Sequence, residues 1–180
     1  MDHTQKQAGA TLPWIAGAGS LAVAVMLALT PVPAQAAGDA ILSQLAGNWI
    51  GRGTVKQSAN AAPGQVYCKI ANKLINGGAG LEQRGRCAIA TNSGAIKGTI
   101  QAKGGNYSGT LDTFNTKGPA KISGSAASNT INFNAEFVDR KTNRPTRATI
   151  KLVVADGKYR LVSNGANDAF VASDITFTPQ

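Results

Sequence analysis

The side chains best able to do covalent or metal chemistry are few: one histidine, His3, two cysteines, Cys68 and Cys87, and nine acidic residues in 180. Histidine is the commonest general base and transition-metal ligand, and here it precedes an apolar run. Trp14 to Leu29, followed by Pro31, Pro33 and Ala34-Gln35-Ala36, has the layout of a secretory signal peptide cut before Ala37. The run falls short of the roughly 20 residues that a membrane-spanning helix needs. On this reading residues 1–36 are a leader, residues 37–180 form one domain, and that domain is exported, periplasmic or secreted, without an imidazole.

Nucleophilic catalysis would then need a Ser–Lys pair or paired carboxylates. The serines fall in turns or on polar faces, the carboxylates are scattered, and no cluster has metal-ligand spacing. The expectation is a protein that is not an enzyme, with no catalytic residue, metal or cofactor. Binding is where its function should lie. Lys and Arg total 18 against 9 acidic residues, a net charge of +9, and removing the leader takes one of each sign, Lys6 and Asp2. Such a surface attracts anionic envelope components: phospholipid headgroups, lipopolysaccharide, acidic glycans. Nucleic acid is disfavoured by export and by aromatics that sit in apolar registers rather than on the basic face.

The elements that must position these groups are β-strands. Asp39 to Leu45 can make a short helical turn, with Asp39 as N-cap and Gly47 just past its end. After it the chain alternates apolar and polar residues in ten segments, at 48–57, 65–74, 81–91, 94–103, 106–113, 120–126, 130–138, 146–155, 158–164 and 171–178. The gaps are rich in Gly, Asn, Asp, Ser and Pro, as hairpin turns require. Antiparallel partners have residue numbers of constant sum, so the registers can be derived. A turn at 75–80 pairs Leu74 with Leu81, Ile70 with Gly85, Val66 with Ile89, and Cys68 with Cys87, which predicts a disulfide in an oxidising compartment. A turn at Gly104-Gly105 pairs Tyr107 with Ala102 and Lys97 with Asp112; one at Ser128-Asn129 pairs Phe133 with Gly124 and Lys121 with Glu136; one at Asp156-Gly157 pairs Tyr159 with Val154. Lys73 faces Glu82.

Ten strands joined by short turns, each half apolar, are best satisfied by an all-β, antiparallel up-and-down barrel, which leaves no exposed edge. The inward glycines Gly51, Gly53, Gly85, Gly98, Gly109 and Gly124 allow the coiling that closure needs and could leave internal space. Trp49, Tyr107, Phe133, Phe137, Tyr159 and Phe177 share the disulfide's face and are the candidate lining of an interior ligand site. Outside, Lys69 lies directly against Arg86, a like-charge pair, and Arg52 is expected in the same row, an anion-binding rung of three cations across three strands. The loop 139–147, with four cations, is a second candidate contact.

Gly47-Asn48-Trp49, entering the first strand after a helical turn, resembles the Gly-x-Trp opening of lipocalins and the wider calycin group. The lipocalin arginine that covers this tryptophan from the last strand has no counterpart in Val171 to Thr178, and ten strands are nearer to fatty-acid-binding barrels. The Trp-x-Gly-x-Gly opening with the later Arg-Cys and Ser-Gly-Thr-Leu segments is similar to small exported bacterial proteins of unassigned function. The resemblance implies a barrel able to hold an apolar ligand. Three functions follow: a barrel binding an apolar or amphipathic small molecule inside, with basic residues at its rim; a solid-core envelope module docking on anionic lipid, glycan or protein, inhibitor-like in one version; and a small outer-membrane barrel with its faces reversed.

Overall fold

The computed structural model describes residues 39–90, 92–165 and 169–180; the expected leader with its cleavage site and His3 lies outside them. A six-residue helix, α1 (Ala40–Leu45), precedes ten strands. These are β1 (Gly47–Val55), β2 (Gly64–Ile75), β3 (Gly80–Ile89), β4 (Asn92–Lys103), β5 (Asn106–Asp112), β6 (Ala120–Ala127), β7 (Thr130–Val138), β8 (Pro145–Ala155), β9 (Lys158–Asn164) and β10 (Val171–Pro179). Each pairs antiparallel with its neighbours in sequence, and β1 closes on β10, so the sheet is a closed up-and-down barrel. The third turn comes earlier than the apolar pattern indicates, with β3 ending at Ile89 opposite Asn92.

Turn chemistry sets the hairpins. Gly104-Gly105 and Asp156-Gly157 both hold positive φ at their two central residues, the mirror-image turns whose twist matches that of the flanking strands. The registers run as the constant sums require: Cys68 against Cys87, Tyr107 against Ala102, Phe133 against Gly124, Tyr159 against Val154. Lys73–Glu82, Lys97–Asp112 and Lys121–Glu136 are also register partners. The ion pairs, however, form elsewhere. Glu82 takes Arg84 at 2.5 Å and Glu136 takes Arg147 of β8 at 3.1 Å, because arginine's fork meets a carboxylate better than lysine's point charge. Both arginines and Glu136 are solvent-exposed and Glu82 is half-buried, so each pair contributes at most about 1 kcal/mol.

Inward rows are apolar and outward rows polar or charged, the opposite of what an outer-membrane barrel presents to lipid. Inside, the glycines do not simply leave room. The Phe177 ring lies 2.5 Å from where a Gly51 Cβ would stand and so fills that space. At Gly53, Gly85, Gly109 and Gly124 a Cβ would collide with a backbone carbonyl oxygen of the adjoining strand. Their function is close strand approach in a tightly coiled sheet.

Cys68 and Cys87 form a disulfide across β2 and β3, with both residues buried. Thiol titration of the unfolded, unreduced protein is expected to find no free thiol. Replacing both cysteines by alanine should lower unfolding free energy by about 3 kcal/mol, the chain-entropy value for a loop of this size. Two titrating thiols, or an unchanged denaturation midpoint, would contradict the bridge.

Candidate functional site

The barrel has two unlike ends. One is stoppered by α1, whose Ile41, Leu42 and Leu45 are buried. Helix formation there depends on Asp39: one carboxylate oxygen accepts from the Ile41 and Leu42 amides at 3.0 and 2.9 Å, and the other accepts from the Tyr107 hydroxyl at 2.6 Å. Asp39 thus caps the helix and ties it to β5 in one step. At the helix C-terminus the Leu45 carbonyl accepts from Trp49 Nε1 at 2.9 Å and from Asn72 Nδ2 at 2.8 Å. Both donors are buried, and the carbonyl that a short helix would leave orphaned is satisfied twice.

Above the stopper, Trp49 meets Tyr159 edge-on with centroids 4.8 Å apart, and Tyr159 stacks on Phe177 at 4.4 Å. The tyrosine that covers Trp49 comes from β9. Tyr107 packs edge-on to Phe133 at 6.2 Å. Burial pushes the hydroxyls of Tyr107 and Tyr159 far above the usual phenol range, with the Asp39 carboxylate adding to the shift at Tyr107 and the nearby Asn72 amide partly offsetting it at Tyr159. Both stay neutral at any physiological pH. Among the described residues the Tyr159 hydroxyl has no hydrogen-bond partner.

Half-buried inward residues occur towards α1 too, Leu74, Ile100, Ala102 and Ala126 among them. At the opposite end, where Val66, Ala120 and Ala135 are buried, Val55, Ile96, Leu111, Phe137, Ala148, Ile150 and Leu161 point inward by register and are half-buried. These residues come from β1, β4, β5, β7, β8 and β9 and form an apolar mouth. Around it the 139–144 loop is ordered by its own carboxylate: Asp139 accepts from the Thr142 amide and hydroxyl at 2.6 and 2.8 Å, contacts that hold its pKa below the usual carboxylate range. Arg140 donates to the Thr116 carbonyl at 3.1 and 2.8 Å, and Lys117 to Asn143 Oδ1 at 2.8 Å. Lys141 and Arg144 of this loop are exposed at the rim.

Of the six aromatic lining candidates, Trp49, Tyr107, Phe133, Tyr159 and Phe177 are packed core in the stoppered half, and Phe137 alone reaches the mouth. The aliphatic residues at that end carry no signal of their own in the sequence, because periodicity identifies the inward face without saying which end of each strand is covered. Outside, Lys69 faces Arg86 as the register requires. Arg52 does not join them: it pairs with Tyr67, and Lys69 has Ile50 as its β1 partner, so Arg52 stands one rung away. Its guanidinium lies 5.2 Å from the Tyr67 ring centroid. Tyr67 is itself a departure from the expected pattern, an aromatic on the polar face and 38% exposed.

The closed ten-strand barrel is compatible with a calycin-like architecture. No protein-family model matches the chain, and no curated protein does.

Proposed function

We propose that this protein is a binding cup for an amphipathic anionic small molecule of fatty-acid type, its tail among Leu111, Phe137, Ala148 and Leu161 and its acid group at the rim cations. The observation that carries this reading is the set of half-buried apolar residues that six strands turn inward at the end away from α1. In a closed sheet, inward side chains meet solvent through the lumen, so accessible apolar surface there is available to a ligand. Lys141 and Arg144 supply the charge that would orient a carboxylate. We further infer an exported, oxidising location, with which the disulfide is compatible. No catalytic role is proposed.

A dansyl-labelled undecanoic acid titrated into the protein should show saturable fluorescence enhancement that oleate reverses. Ala148→Trp, which fills the mouth from β8, should weaken binding roughly tenfold or more. Ala155→Trp, on the outer wall of the same strand, should leave it unchanged. Absence of saturable enhancement, or equal loss in both variants, would overturn the reading.

A further inference from the structure

The outer wall of β1 to β4 carries two shallow hollows separated by the Tyr67 ring. The first, about 390 Å³, is lined by Arg52, Gln65, Tyr67 and Ala88 among others. The second, about 510 Å³, includes Tyr67, Lys69, Arg86 and Ser93. Small residues form their floors: Gly85 and Ala88 in the second, Ala88 and Ala90 in the first. Each hollow therefore has an apolar bed, one wall of aromatic ring and at least one cation.

What sets the cations here apart is their arrangement rather than their lack of carboxylate partners, since only three cations among the described residues form ion pairs. Among the described residues the ion pairs are Arg84–Glu82, Arg147–Glu136 and Arg160–Asp174, and none includes Arg52, Lys69 or Arg86. Asp174, two residues from Thr176, the partner of Arg52 across β1 and β10, is held by Arg160, whose hydrogen bonds keep that carboxyl below its usual range. Arg86 donates to Ser93 Oγ at 3.3 Å, and Arg52 rests on Tyr67. Lys69 and Arg86 stand directly opposite each other, an arrangement that costs stability when nothing neutralises it. The disulfide on the adjacent rung, Cys68–Cys87, one residue before Lys69 and one after Arg86, pins the two strands and so stops the pair from separating through the backbone.

We infer that this wall is a second binding site, independent of the cup, for a short acidic oligosaccharide of uronic-acid type. One sugar lies in each hollow, the Tyr67 ring packs on the apolar face of a pyranose, and carboxylates of neighbouring sugars are taken by Arg52 on one side and by Lys69 with Arg86 on the other. The concavity sets this apart from a bilayer surface, which engages protruding groups. A single nucleic-acid strand uses successive stacking platforms, and Tyr67 is the one exposed aromatic among the described residues.

Calorimetric titration with tetragalacturonate tests the site, with the carboxyl-reduced tetrasaccharide, phosphatidylglycerol vesicles and oligothymidylate as comparators. The acidic sugar should bind saturably, weaken as salt rises towards a Debye length of about 10 Å at 0.1 M, and bind far better than its neutral counterpart. Lys69→Ala and Arg86→Ala should each weaken it about fivefold, and Tyr67→Ala about as much, with the melting temperature of Lys69→Ala unchanged or raised. Lys97→Ala, on the same wall, should change little, and Ala148→Trp should bind the sugar normally while losing the fatty acid. Equal losses from Lys69→Ala and Lys97→Ala would reduce the effect to net charge. Preference for vesicles or oligothymidylate, equal binding of the neutral sugar, or no binding at all would each overturn the assignment.

Discussion

Gly109→Ala is expected to prevent the barrel from closing, with the protein recovered unfolded or aggregated. A Cβ at this position would overlap the Thr99 carbonyl oxygen of β4 and press on the backbone of Thr99 and Ile100. Both obstacles are main chain in a hydrogen-bonded ladder, with Gly109 paired to Ile100 on one side and to Ile122 on the other. No side-chain rotation relieves such a clash, so β4 and β5 must separate, at a cost on the order of 4 kcal/mol or more, a large part of the 5–15 kcal/mol that holds a typical domain together. Gly105→Ala is the control. It has φ +78°, and nothing lies within 4 Å of a Cβ built there. Its cost is only the left-handed backbone of a residue with a side chain, about 1–2 kcal/mol. Circular dichroism and urea midpoints of the two variants measure the difference, and a stable, folded Gly109→Ala barrel would mean that the strands are not this close.

Trp49→Ala should be the most damaging large-to-small change in the stoppered half. The ring is buried, meets Tyr159 edge-on and donates to the Leu45 carbonyl. Its removal opens a cavity under α1 and unseats the helix from β1, with an expected loss of about 3–5 kcal/mol. Trp49→Phe separates the two contributions. It keeps much of the packing and deletes only the hydrogen bond; because Asn72 still donates to the same carbonyl, the cost should be nearer 1 kcal/mol. Hydrogen exchange at residues 40–45 should rise in the alanine variant and change little in the phenylalanine one. If α1 stayed protected in Trp49→Ala, the stopper would depend on Asp39 and its Tyr107 bond rather than on the tryptophan.

Much of this fold was legible in the chain, for a local reason. Hairpins with tight turns such as Gly104-Gly105 and Asp156-Gly157 set their own registers, and period-2 alternation then assigns every side chain to a face. The disulfide follows from the same arithmetic, since Cys68 and Cys87 flank one such hairpin at equal distances from its centre. The Asp39 cap was equally local. Tertiary structure decided what crosses longer stretches of chain. β1 and β2 are separated by residues 56–63, too long a connection for a turn type to specify register, and the actual pairing puts Arg52 opposite Tyr67 rather than in the Lys69 row. Closure of β1 on β10 has no local signal at all; it comes from the whole sheet's coiling and from the need to pair both edges. Tertiary packing also determined which inward residues became buried core and which stayed half-buried. Identical alternation describes Tyr159 and Leu161, yet the helix lies at one end of the barrel and covers only what is near it.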